Sequence, residues 1–513
     1  MSKFNTQGAT PTLSSVIESA APTINHEGLP AFSRTVKSDL FLLGVTNFVR
    51  EETFYEPATE RDNRFRDLVH AVTKEDPTWV FEFVRYLRQT ANMRSASLVA
   101  AVEYVRAGGH SGRSVVAAAC QRADEPGEVL AYYTTQYGRS IPAAIKRGVA
   151  DAARRLYNER SYLKYDSDKR AWRWADVLQV AHVKAATPGQ NSLFGYVLDS
   201  YYKGKEAGLY AQALPVLGKN RDYHEMDKET ARAQLLENPD NLWESGLTWE
   251  ALSSFGPMDK AAWEAVIPSM GYMALLRNLR NFDEAGISDE VAARVITKLT
   301  DPEQVAKSRQ LVFRFYSAFK TAPSLRWGQA LETALDLATK NIPAFKGRTL
   351  VLIDTSWSMQ GAISVKSSVS AAEVAALVGS ALAKSGQDVD ITLFATYSAP
   401  HVFPRGGSTL ATTKSILARQ GELGMSTNIG TALQSFNDHD RVIILSDMQT
   451  TDYVSRQGIP DRTPIYGFNL RGYSSTVVDS TRNDYELGGF TDNTFAMISA
   501  LERGRDAKWP WNA

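Results

Sequence analysis

Residues 347–361 read GRTLVLIDTSWSMQG, and the order of residue types in this stretch decides the fold of the C-terminal third. Leu350 to Ile353 is an unbroken apolar run that stops at Asp354, after which hydroxyls follow at alternate positions, Ser356 and Ser358. A short apolar run with no polar alternation predicts a strand covered on both faces, as in a parallel sheet flanked by helices. The pattern continues downstream. SSVSAAEVAALVGSALAKSG reads as a helix, and DVDITLFAT, RVIILSDM and PIYGFNL read as further strands separated by helical segments. Such alternation predicts a doubly wound, Rossmann-like α/β domain over residues 342–513, beginning at NIPAFKG.

In open α/β sheets, ligands bind beyond the carboxyl ends of the strands. Asp354 stands at such an end, with Ser356 and Ser358 in the loop that follows. GMSTNIGTAL places Thr427 just before a helix, and VIILSDMQT places Asp447 at the end of another apolar strand. Two carboxylates and three hydroxyls on one rim form a hard-oxygen set suited to Mg²⁺, with Mn²⁺ as the alternative. So few carboxylates leave the ion electron-poor and open to an acidic group from a partner. Any one segment alone reads better as a helix cap or a loop hydroxyl than as a cation site; all three in this order favour the cation. The set resembles the metal-ion-dependent adhesion site of the von Willebrand factor A domain, D-x-S-x-S…T…D, over about residues 345–510. That resemblance implies metal-dependent ligand binding without catalysis.

The preceding 300 residues have a different texture. Residues 1–35 are polar, with Pro11, Pro22 and Pro30, and read as a flexible arm or a loosely docked lead-in. From 36 to 341, apolar residues recur at three- and four-residue spacing in AVEYVRA, IPAAIKRGVADAARRLY, WADVLQVA, YMALLRNLRNF and ALETALDLATK. Helices of this length joined by short turns predict stacked pairs of the HEAT type, although no sequence repeat is visible.

Charge and composition narrow the function. The 513-residue chain has zero formal net charge, yet residues 85–184 hold 17 Lys and Arg against 9 Asp and Glu. A basic segment in a neutral chain is the footprint of a phosphate-binding surface, or a solvated basic face. On a wheel of IKRGVADAARRLY, Lys146, Arg147, Arg154 and Arg155 share an arc opposite the apolar residues. Lys164, Lys169, Arg170, Arg173 and Lys184 continue the charge, beside Tyr165, Trp172 and Trp174 as stacking surfaces, with Trp174 reading as core. One cysteine, Cys120, excludes an internal disulfide framework, and no apolar stretch is long enough to cross a bilayer. The first residues lack a secretory pattern, so a cytoplasmic location is expected. Cys120 sits in VVAAAC without a catalytic signature, and no base accompanies the cation motif, so no enzymatic activity is expected.

The stretch from IKRGVADAARRLY to VAHVKAATP, followed by MALLRNLRNF, resembles the TROVE module. Joined to an A domain, it resembles the Ro autoantigen family and its bacterial relatives across residues 36–510. The resemblance implies a ring of helical repeats closed by the A domain. It implies binding of small noncoding Y RNAs outside, and of single-stranded 3′ ends of misfolded RNA within the hole, as a chaperone or a tether to an exoribonuclease. It gives His182 a role in contacting RNA and matches Arg277 to a family motif, where an ion pair is an equal reading. The second basic cluster, Lys307, Arg309, Arg314 and Lys320, reads as hole lining or as a solvated helix face. Asp166 and Asp168 depart from the more uniformly basic family pattern. Neither DNA nor a membrane is an expected partner. The rival reading is a protein–protein adaptor in which the metal site grips an acidic side chain.

Overall fold

The computed structural model describes residues 19–512, apart from 47–56, 204–209, 211, 311, 323, 340–341, 343–344, 364–366, 387, 405–406, 457, 474, 480–481, 489–494, 496–497, 499–501 and 503–508. The chain forms two compact units, one of Val69–Lys340 and one that joins Met1–Leu68 to Asn341–Ala513.

The first unit is helical, and each helix packs mainly on helices close to it in the chain. Pro77–Gln89 lies on Arg94–Arg106, Gly112–Ala119 on Ala143–Leu156, Ala143–Leu156 on Trp174–Ala181, and Val312–Thr321 on Leu325–Thr339. Local signals set the boundaries. Asp76, Asp227, Asp259, Ser288 and Asp301 cap helix N-termini with their side chains, and prolines open the first turns at Pro77 and Pro302. Ala143–Leu156 buries Ile145, Gly148, Val149, Ala152 and Ala153. Gly148 is required there, because a Cβ would stand 2.6 Å from the Arg113 carbonyl on the neighbouring helix. An ionic knot holds the middle of the unit. Glu125, fully buried, accepts from Arg88 (2.8 Å), Arg94 (2.9 Å) and the amides of Gln121 and Arg122. The Asn92 side chain donates to the Arg309 carbonyl at 2.8 Å, joining residues 217 positions apart.

The second unit is built on a six-stranded sheet in the order β5-β4-β3-β6-β7-β9, where β3 is Arg348–Asp354, β4 Asp388–Phe394, β5 Ser398–His401, β6 Arg441–Ser446, β7 Ile465–Asn469 and β9 Asp484–Leu487. All neighbours are parallel except the β4–β5 edge pair. The expected strands are β3, β4, β6 and β7, and their apolar runs have a direct cause. Leu350 and Leu352 face a core with Ile429, Leu433, Val442 and Ile444. Ile353 points the other way, against Gly379 in the Ala371–Ser385 helix, where a Cβ would meet its Cδ1 at 2.4 Å. Both faces are covered, so alternation is lost.

The flexible arm needs correction from Ser19 onward; residues 1–18 lie outside the described residues. Ser19–Ile24 (β1) and Pro30–Arg34 (β2) form an antiparallel hairpin, and β2 pairs with Ser475–Thr476 (β8). Buried Arg34 anchors it through Glu486, at 2.5 and 2.6 Å, and through the Tyr473 carbonyl at 2.7 Å. A guanidinium drawn into the interior needs such a partner, and this one comes from the far end of the chain. Residues 36–68 likewise belong to the unit of the sheet and not to the 36–341 helical module.

Candidate metal cradle and candidate nucleic-acid surface

Three loops at the carboxyl ends of β3 and β6 and before the Ile429–Leu433 helix are cross-linked by hydrogen bonds. Trp357 N donates to the Met425 carbonyl (2.9 Å) and Thr451 N to the Thr427 carbonyl (2.7 Å). The Thr450 hydroxyl lies 3.0 Å from the same Thr427 carbonyl. These bonds bring the Asp354, Ser356 and Ser358 loop, the Thr427 loop and the Asp447 loop to one rim. All five side chains are buried, and Asp354 and Asp447 have no exposed surface.

The electrostatics of the rim are unbalanced. Asp354 Oδ1 accepts from Ser356 N (2.8 Å) and Oδ2 from the Ser446 hydroxyl (2.5 Å). Burial, and then the charge of Asp447, pushes the Asp354 carboxyl up to about 7. Burial pushes Asp447 up to about 6, against the stabilising Ser358 hydroxyl and Gln449 amide. Asp447 Oδ1 takes the Gln449 N–H at 3.1 Å, while buried Oδ2 has no hydrogen bond, since Ser358 stands near without closing one. Arg471 is close by, but its Nη atoms donate to the Gly361 and Ala362 carbonyls. Two adjacent carboxylates, an orphaned buried oxygen and the Ser356–Ser358 hydroxyl pair at 3.3 Å fit a small divalent cation. Among the described residues no three His, Cys, Asp or Glu side chains group as metal ligands, so such an ion here would depend on the hydroxyls.

Helix capping at this rim falls to a different residue. Asp452 accepts from the amides of Gly430 (2.9 Å) and Thr431 (2.7 Å), which leaves Asp447 without that task. Met448, between Asp447 and Gln449, is fully buried with φ of 62°, a costly conformation for a side chain of this kind that sets the turn after Asp447.

In the helical unit the structure sorts the expected cations. Arg147, Arg154, Lys164, Lys169, His182 and Lys184 are exposed and Lys146 is half-buried. His182 ends the Trp174–Ala181 helix in the left-handed region, with φ of 52°. Two of the expected cations are also engaged within the chain. Arg155 donates to the Ala117 (3.0 Å) and Cys120 (2.6 Å) carbonyls, closing the end of the Gly112–Ala119 helix. Arg173 is held by Asp166 at 2.5 Å and by Asp168, the two acids that depart from the basic pattern. Arg170 is partly engaged, at 3.5 Å from Asp124 and 3.7 Å from Glu128. Trp174 is core, stacked on Tyr157 with ring centroids 3.5 Å apart, and Trp172 is half-buried with its indole N–H 3.3 Å from the Thr134 hydroxyl.

Comparison with known proteins agrees with this architecture. Residues 243–325 match the TROVE domain family model. The crystal structure of the Deinococcus radiodurans RO (RSR) protein superposes with a TM-score of 0.62 at 18% identity, covering 92% of this chain and 100% of that one. The chain has the fold of that Ro protein. Within the residues that match the TROVE model, Arg277 is exposed and Arg314 half-buried. Neither is paired with a carboxylate among the described residues, and burial, then the charge of Arg277, lowers the Arg314 pKa. Among the described residues Arg277 therefore lacks the ion pair considered for it. Lys307 pairs with Glu303 on a solvated helix face, while the Arg309 carbonyl takes the Asn92 contact.

Sequence reading missed a cleft at the start of this match. Trp243 is exposed, with the Arg160 guanidinium 3.9 Å from its ring centroid, and Lys164, Trp249 and Met270 are among the residues that line the cleft. An exposed Trp far from any charge run carries no signal in sequence.

Proposed function

We propose that this Ro-like chain is a noncatalytic RNA-binding protein whose helical unit holds phosphate backbones and single-stranded bases. The observation that carries the reading is the selective pairing of charge. Asp124, Glu125, Asp166 and Asp168 engage Arg88, Arg94, Arg122 and Arg173, while Arg147, Arg154, Lys164, Lys169 and Lys184 stay exposed toward solvent. Exposed cations in the same helical unit as the Arg160–Trp243 stack, with Lys164 lining the same cleft, suit a strand with charged backbone and flat bases. The TROVE match and the Ro fold support the same reading. The RNA partners we infer are small structured Y-like RNAs and the 3′ ends of misfolded RNAs, with tethering to an exoribonuclease as the downstream role in a cytoplasmic setting. A noncatalytic role is supported by Cys120, whose thiol is fully buried and pushed up by burial and Glu125, the reverse of an activated nucleophile.

The cradle of Asp354, Ser356, Ser358, Thr427 and Asp447 would hold Mg²⁺ or Mn²⁺, which supplies a Lewis-acidic position for an oxygen ligand. A protein ligand at this rim is favoured by one feature. Trp357, Tyr397, Met425 and Tyr453, on loops around the cradle, are 58–71% exposed. Apolar side chains ringing an oxygen site suit an acidic residue on a folded partner.

One hairpin RNA in three forms tests the RNA reading: blunt, with a 3′ tail, and with a 5′ tail of equal length. The 3′-tailed form should bind most tightly and compete with unrelated tails of that length. Equal and weak binding of all three, insensitive to salt, would overturn it.

A further inference from the structure

A second cavity of the helical unit, about 190 Å³ in volume, shares no lining residue with the Arg160–Trp243 cleft. It lies between the helix Glu125–Tyr137 and the stretch from Tyr165 to Trp174. Gly127 and Ala131, one turn apart on that helix, leave the space, and the rings of Tyr157, Tyr165, Trp172 and Trp174 line it. An apolar cavity of about 150 Å³ admits benzene, so this one has room for a single heteroaromatic ring. Its walls also carry polar groups that the chain leaves unused. Tyr157 and Trp174 are each 3% exposed, and neither Tyr157 Oη nor Trp174 Nε1 has a hydrogen-bond partner among the described residues. The two rings stack with centroids 3.5 Å apart, which makes them a rigid pair. Burial, then the charge of Asp166, raises the Tyr157 phenol, so it stays an O–H donor.

Buried donors are costly to leave unpaired, and this cavity keeps two of them. Glu128 supplies the opposite polarity: Arg94 and Arg170 both approach its Oε1, the latter at 3.7 Å, which leaves Oε2 to accept. The other carboxylate in the wall, Asp124, is taken up by Arg122 at 2.6 Å and Arg94 at 3.2 Å. Two donors and one acceptor are the complement of cytosine, whose pairing edge carries two acceptors and an amino group. Uracil has a donor at its ring nitrogen and no amino group, so it matches less well. Lys169 and Arg170, exposed on the same lining, suit the phosphate attached to such a base. We propose that this cavity takes one unstacked cytosine of a single-stranded RNA, with its phosphate beside Lys169 and Arg170. This rests on the RNA-binding reading above and adds to it a preference for one kind of base.

The test uses the full chain with single-stranded RNA decamers of cytidine and of uridine, and cytidine monophosphate as the free nucleotide. Filter binding at several salt concentrations should show the cytidine decamer bound about fivefold more tightly than the uridine decamer. Ala131→Leu fills the cavity and Tyr157→Phe removes one donor. Either should bring that ratio to about one with the salt slope unchanged, since the phosphate contacts stay. Tyr157→Phe should also melt no lower than the wild type, because the hydroxyl it lacks bonds nothing among the described residues. Cytidine monophosphate should compete only weakly; competition as tight as the decamer's would overturn the strand as the source of the base. A preference that survives in both variants, or none in a wild type that binds both decamers, would overturn the role of the cavity and leave the RNA reading standing. A wild-type chain that binds neither decamer would overturn both.

Discussion

Replacing Asp447 by Asn should move the stability of the sheet-bearing unit in opposite directions with and without a cation. At pH 7.5 in EDTA, Asp354 and Asp447 are buried together and both largely ionised, with carboxyls pushed up to about 7 and about 6. A displacement from 3.8 to about 7 corresponds to roughly 4 kcal/mol of unfavourable ionisation at Asp354, most of it burial and the smaller share the charge of Asp447. Asn keeps the Oδ1 that accepts from Gln449 N and removes the charge. We therefore expect Asp447→Asn to gain about 1–2 kcal/mol in EDTA. With Mg²⁺ a hundredfold above its dissociation constant, the wild type should gain about 2.7 kcal/mol, and the variant little or nothing. Urea unfolding of both proteins, each in EDTA and in Mg²⁺, gives the four numbers needed. A variant less stable than wild type in EDTA, with no Mg²⁺ response in either, would refute the reasoning, because Asp447 would then be an ordinary structural carboxylate.

The same pair sets a pH dependence: both carboxyls are raised in the folded state, so stability in EDTA is fullest below about 4 and is lost as pH rises through about 6 to 7. Saturating Mg²⁺ should flatten or reverse that slope in thermal melts across pH 5–8. Neutralising exposed Arg147, Arg154 and Lys169 together should weaken RNA binding and lower the salt slope by about 2, measured by filter binding at several salt concentrations. Removing Arg155 or Arg173 should act first on stability, since these hold a helix end and an acid pair, and a melt separates the two classes. Glu125→Gln should destabilise the helical unit by about 3 kcal/mol in urea by leaving Arg88 and Arg94 poorly matched in the interior.

Legibility from sequence followed how local each cause is. The strands β3, β4, β6 and β7 announced themselves because burial on both faces makes the middle of each run largely apolar. The cradle was legible because its five residues lie in short loops directly after apolar strands or before a helix. Charge was only half legible. Counting cations in residues 85–184 located the basic segment, but it could not tell Lys169, which faces solvent, from Arg173, which Asp166 and Asp168 hold. Those two acids looked like a departure from a basic pattern, and they decide which arginine is available. The β1–β2 hairpin was not legible at all. SAAPTI and PAFSR are short, contain prolines and show no clean alternation; their stability comes from Glu486 and from a two-residue strand at Ser475–Thr476.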